Sequence, residues 1–154
     1  MAILQNPTFN YPSSLYERDF YQWLMITIKL LQDRSFEQID LDNLIKELEG
    51  TARRTQNTLK SNLRVLLMNL LQYQYQPSVR SESYQSIVIK HRLRLQEIFS
   101  DCPSLKFYVA EVFDECYGHG RQLAASQTNL PLEIFPEICP FTQEQILNID
   151  YWPE

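Results

Sequence analysis

The sequence predicts an all-α domain: a bundle of four main helices with a short fifth helix at the C-terminus. Three observations carry this. Apolar residues recur at spacings of three and four in four successive stretches, separated by prolines or capping residues. No stretch alternates apolar and polar residues between Asn-Gly or Asp-Gly turns, so strand signals are absent. With 154 residues, 44% hydrophobic and 21% charged, the chain suffices for one core and has ordinary globular composition. A single domain over residues 15–154 is expected, with the long second helix at its centre.

Residues 1–14 hold Pro7, Pro12, Ser13 and Ser14 with little periodicity and read as an N-terminal arm. The first helix is expected over Tyr16–Arg34, where Tyr16, Phe20, Trp23, Leu24, Ile28 and Leu31 form one stripe. Met25 and Ile26 fall off that stripe. Asp40 stands where an N-cap belongs, and Leu41, Leu44, Ile45, Leu48, Ala52, Leu59, Leu63, Leu66 and Leu70 continue one face. No proline interrupts from Leu41 to Gln76, so the segment is one long helix or two helices meeting at Gly50. We favour one helix, apolar nearly all round in its second half and ended by Pro77. Ser81 caps a third helix, whose face is Tyr84, Ile87, Val88, His91, Leu95, Ile98 and Phe99, with Arg92 and Arg94 facing away. Cys102 and Pro103 suit the cap and first turn of a fourth helix. Its stripe runs through Leu105, Tyr108, Val109, Val112, Phe113, Cys116, Tyr117, Gly120, Leu123 and Ala124. The proline-punctuated LPLEIFPEICPF is too apolar to float free and is expected across the bundle. Thr142 with Gln145 is a capping box for a last helix reaching Ile149.

Composition narrows the function classes. Three glycines exclude Gly-rich phosphate loops, and a net charge of −5 argues against polyanion binding by the whole surface. Cys102, Cys116 and Cys139 form neither a paired framework nor a zinc-ribbon spacing. The N-terminus lacks the basic and apolar regions of a secretory signal, and no apolar run approaches a membrane span. A cytoplasmic location and no membrane partner are therefore expected.

YERDFYQWL (16–24), IDLDNLIKELE (39–49), LRVLLMNLLQYQYQP (63–77), DCPSL (101–105), FPEICPFTQEQIL (135–147) and the closing WPE stand in this order. They resemble the domain-of-unknown-function family 29, helical proteins abundant in cyanobacteria. The resemblance spans nearly the whole chain from Leu15 and implies an all-helical fold. It carries no assigned activity, so no catalytic residue transfers. Family members often show His where Asn69 stands and Trp where Tyr73 and Tyr84 stand. For this chain that implies a structural role at Asn69.

No nucleophile–base pair or metal-ligand set appears at workable spacing, and the expectation is no catalytic residue, no metal and no cofactor. His91, on an apolar face, reads as a hydrogen-bonded core histidine ahead of a base or ligand. Glu111, Glu115 and His119 share one flank, but Glu-x-x-x-His occurring once is not a di-metal pattern, and a solvated acidic face is the better reading. Gly118 and Gly120 point to a close helix crossing or kink ahead of a ligand-induced bend. Cys116 reads as an inert buried thiol, and Cys102 as a thiol with a lowered pKa only if it stands at a helix N-terminus.

Charge distribution is the one unusual feature. From Thr51 to Gln96, Arg53, Arg54, Lys60, Arg64, Arg80, Lys90, Arg92 and Arg94 face the single acid Glu82, a net +7. Six basic and eighteen acidic residues remain elsewhere, a net −12. These eight residues are the candidate interaction surface for an acidic protein partner or a second copy in a homodimer, with Met25 and Ile26 as apolar contacts. The alternative is nucleic-acid binding through the same arginines, with Tyr75 or Tyr84 stacking on bases. An enzyme assembled from residues distant in sequence is the remaining, less favoured reading.

Overall fold

The computed structural model describes residues 14–154, so the arm expected over residues 1–14 lies outside the described residues apart from Ser14. Among the described residues there are six α-helices and no strand. The chain divides into two compact units, Met1–Ala52 and Arg53–Glu154, and the division falls within the longest helix.

In the first unit, the single helix expected over Tyr16–Arg34 is broken. A short α1 (Leu15–Arg18) gives way to α2 (Phe20–Gln32) at Asp19, whose backbone is extended. Aspartate competes for the backbone donors at a helix start. Here its carboxylate accepts a hydrogen bond from the Gln22 amide at 2.9 Å, ending one helix and capping the next. After a 3₁₀ turn at Phe36–Gln38, Asp40 caps α3 (Leu41–Tyr75) by accepting from the Asn43 amide at 3.3 Å. Trp23 is the buried centre of this unit, with Tyr16 edge-on at 4.9 Å and Phe20 stacked at 5.6 Å. The Tyr16 hydroxyl donates to Glu47 on α3. Only Trp23 and Thr27 of α2 are buried. Phe20, Ile28 and Leu31, on the expected stripe, are exposed.

α3 runs through Gly50 without a break. Within the second unit it is the central helix: Leu59, Leu63, Leu66, Leu67, Leu70 and Leu71 are essentially inaccessible. Pro77 opens a 3₁₀ turn, and Ser81 caps α4 (Glu82–Asp101) by accepting from the Tyr84 amide. Cys102 does not cap the following helix. It is the C-terminal cap of α4, its amide donating to the Ile98 carbonyl, and Ser104 precedes α5 (Leu105–Thr128). Cys102 therefore lies at the C-terminal end of α4, not at the N-terminus of α5.

Gly120 lets α5 approach α3 closely. A Cβ there would stand 3.1 Å from the Arg64 carbonyl oxygen and from Leu67 Cβ, whereas one at Gly118 would meet nothing within 4 Å. Asn129, in the left-handed region at φ 56°, ends α5. The segment after it lies on the core as expected. Phe135 is fully buried, Arg121 donates to the Phe135 and Leu132 carbonyls, and the Tyr117 hydroxyl donates to the Pro136 carbonyl at 2.6 Å. The Thr142–Gln145 capping box opens α6 (Gln143–Leu147), which ends before Ile149.

Candidate functional site

An open groove of about 510 Å³ lies between α3 and α4 on the second unit. Its α3 wall carries Arg54, Asn57 and Ser61 along one row and Thr58 and Asn62 along the next, each at spacings of three or four, and its α4 wall carries His91 and Arg94. Among the described residues no carboxylate lines it. Asn62 is buried and its amide donates to the Thr58 carbonyl at 2.8 Å, so its Oδ1 faces His91 Nδ1 at 2.9 Å. That geometry places the hydrogen on Nδ1 and leaves the Nε2 lone pair as the ring's acceptor. Burial, then the charges of Arg94 and Lys90, push the His91 pKa below the ordinary histidine value. Near neutral pH the ring is uncharged. The groove thus offers two guanidinium groups, hydroxyls, amides and one uncharged imidazole.

The eight basic residues separate into distinct roles. Arg54 and Arg94 both line the groove, and Lys90 lies beside Arg94 along the outer face of α4. Arg53 is exposed on α3. Lys60 instead pairs with Glu115 of α5 at 2.7 Å, which raises the lysine pKa and lowers the carboxylate's. Arg64 also turns toward α5 and lines a shallow hollow with His119 and Gln122. Arg80 lies over the Tyr73 ring at 4.9 Å and donates to the Tyr73 carbonyl at 2.8 Å.

Arg92 corrects the sequence reading outright. It does not face away from the core but is fully buried, on a face with Val88, Leu95 and Phe99. Its Nε donates to the Ile146 carbonyl at 2.8 Å and its Nη1 to the Ile149 carbonyl at 3.2 Å, while the guanidinium lies over Trp152. The last carbonyls of α6 and the turn beyond it supply the negative dipole ends that a buried cation requires. Arg92 fastens the C-terminus and leaves the interaction surface.

The two tyrosines considered for base stacking are engaged inside the unit. Tyr84 is partly buried, its hydroxyl reaching Gln72 Oε1 and the Asn69 carbonyl, and Tyr75 packs edge-on against Phe135 at 5.8 Å. Asn69 is buried and donates to the Val65 carbonyl at 2.7 Å, a structural position. Glu111 is exposed and Glu115 is held by Lys60; among the described residues no three His, Cys, Asp or Glu side chains gather at metal-binding distance. Burial raises the pKa of Cys116, and carries that of Cys139 up to about 11, so neither thiol is activated. Met25 and Ile26 stand on the first unit, 47% and 44% exposed. Among the described residues no helix is long and apolar enough to cross a membrane.

Sequence reasoning missed Asn57, Ser61 and Asn62 as groove residues. Their signal was present: a polar row at helical spacing from Arg54, with Asn57 and Ser61 opposite the leucines of α3 and Asn62 at the edge of the leucine face.

The chain belongs to the family described as Domain of unknown function DUF29, whose model matches residues 15–152. No curated protein and no solved structure matches it.

Proposed function

We propose that this member of the DUF29 family is a protein-interaction module that receives an acidic surface of a partner protein in the α3–α4 groove. One observation carries the reading: Arg54 and Arg94, forty residues apart in sequence, line one groove that no carboxylate of the described residues enters. Guanidinium groups match carboxylates in bidentate geometry, and a local positive field steers encounter and sets register. Nucleic-acid binding through the same arginines has less support, because the Tyr75 ring packs on Phe135 and the Tyr84 hydroxyl is bonded to Gln72 inside the unit.

The test is a calorimetric titration with hexaglutamate, single-stranded DNA and duplex DNA at two salt concentrations. Hexaglutamate is expected to bind, to weaken with salt, and to be lost in Arg54→Gln and Arg94→Gln. Oligonucleotide binding that exceeds hexaglutamate binding at both salt concentrations overturns the reading. The first unit supplies a second contact, self-association through Met25 and Ile26. Exposed apolar residues in number mark contact surfaces, and the basic and acidic side chains interspersed among them suit a second copy. Light scattering is expected to show a dimer that Met25→Lys with Ile26→Lys converts to a monomer.

A further inference from the structure

We propose that the α3–α4 groove is a phosphomonoester site, and that the acidic partner it receives is a phosphorylated peptide segment. The inference rests on the interaction reading above and narrows its ligand. Three features of the groove distinguish phosphate from carboxylate.

The first is the pair of arginines. Arg54 and Arg94 enter from opposite walls, so an anion between them presents oxygens in two directions. A planar carboxylate has two oxygens in one plane, whereas a phosphomonoester has three disposed around phosphorus. Arginine clusters read phosphorylated motifs on this basis.

The second is His91. Its Nδ1–H is committed to Asn62 Oδ1, and Asn62 is itself fixed to the Thr58 carbonyl, so only Nε2 serves the groove. An uncharged Nε2 is an acceptor, and a carboxylate, ionised above about pH 4, has no hydrogen to give it. A phosphomonoester has its second pKa at about 6, beside that of histidine. One proton is then held between a phosphate oxygen and Nε2: O–H donates to the ring, or the protonated ring donates to the dianion. The groups facing His91 are Arg94 and Lys90 on its own helix and Arg54 with the uncharged Asn57, Ser61 and Asn62 on α3. Among the described residues these charges are all positive. Burial, then the charges of Arg94 and Lys90, hold the proton off the unliganded ring, and a bound dianion offsets those charges and brings it back.

The third is the polar wall. Ser61 and Asn57 line the groove beside the two arginines and supply neutral donors for the remaining oxygen. The volume of about 510 Å³ accommodates the group together with the residue that bears it.

The experiment is isothermal titration of the full chain with a capped alanine pentapeptide carrying a central phosphoserine. The same peptide with serine, the same peptide with glutamate, and inorganic phosphate are titrated alongside. The phosphopeptide is expected to bind at least tenfold tighter than the glutamate peptide, and the serine peptide not at all. Arg94→Gln, at an exposed position, is expected to weaken phosphopeptide binding tenfold or more. At pH 7, titrations in buffers of different ionisation enthalpy are expected to show proton uptake on binding, absent in His91→Gln. Equal affinity for the glutamate and phosphoserine peptides overturns phosphate recognition and leaves the acidic-partner reading standing. Binding of neither overturns both. Inorganic phosphate binding as tightly as the phosphopeptide overturns the peptide as the source of the group.

Discussion

Truncating Arg92 to alanine removes the largest fully buried side chain among the described residues, and its cost follows from two losses and one opposing gain. The guanidinium makes two well-formed hydrogen bonds, to the Ile146 carbonyl at 2.8 Å and the Ile149 carbonyl at 3.2 Å, and a longer one to Gln145 at 3.4 Å. A hydrogen bond to a charged group contributes about 1.5–3 kcal/mol. The cation also lies 5.4 Å from the Trp152 ring centroid, a contact of about 1 kcal/mol. Opposing these is the desolvation of the cation, which lowers the Arg92 pKa and disappears with the side chain. A net loss of about 3–5 kcal/mol results, because water entering the vacated space recovers part of the carbonyl solvation. At about 2–4 °C per kcal/mol for a chain of this size, the melting temperature falls by roughly 6–20 °C. Calorimetry gives the total, and hydrogen exchange over residues 142–152 shows whether the C-terminal segment releases first. Arg92→Lys is expected to recover less than half, since one ammonium cannot span carbonyls that the guanidinium fork reaches together. An alanine variant melting within a degree of the parent, with residues 142–152 equally protected, refutes the clamp.

Gly118 and Gly120 give opposite responses to alanine. Gly118→Ala is expected to stabilise by up to about 1 kcal/mol, as a helical glycine in open space, and Gly120→Ala to destabilise by about 1–3 kcal/mol against the α3 backbone; chemical denaturation measures both. Tyr84→Phe strands the buried Gln72 Oε1 and is expected to cost about 1–3 kcal/mol in the same assay. Proton NMR is expected to place the His91 midpoint below about 6.5, and Arg94→Gln to raise it. A lowered folded pKa means that the unfolded chain takes up the proton first. Below about pH 6.5 acidification therefore costs stability, until the folded His91 is itself protonated.

Where helical period and capping chemistry acted alone, the sequence was sufficient. Asp40, Ser81 and the Thr142–Gln145 box cap the helices at which they were placed, and the leucines of α3 form the core. It was insufficient where one residue serves two readings. Asp19 lies inside an apolar stripe, and only its side-chain bond to Gln22 shows that it starts a new helix. Arg92 occupies a core position at spacings of four and three from Val88 and Leu95, yet its charge assigned it to the surface. Its partners are backbone carbonyls more than fifty residues away, which carry no residue-type signature. The groove was legible by halves. Each wall is a polar row on one helix, but their juxtaposition depends on how α4 lies against α3, which period does not specify.

The fate of the basic strip constrains what it recognises. A net +7 over Thr51–Gln96 suggests a broad positive field, yet Arg92 is spent on the C-terminal carbonyls and Lys60 on Glu115. Arg80 is engaged with Tyr73, and Arg64 faces α5. Arg53, Arg54, Lys90 and Arg94 are exposed on α3 and α4, and two of them line the groove. A surface that tracks a nucleic-acid backbone engages about six to ten phosphates, and its affinity falls with salt at a slope near −0.9 per phosphate for duplex DNA. Four cations, two of them lining one groove, give a slope near −2 to −4 at most, the signature of a compact anion held at one point. A log–log salt titration of phosphopeptide binding is expected to lie within that range. A slope steeper than about −5 means that more of the strip is engaged than the groove contains, and an extended polyanion then becomes the better ligand.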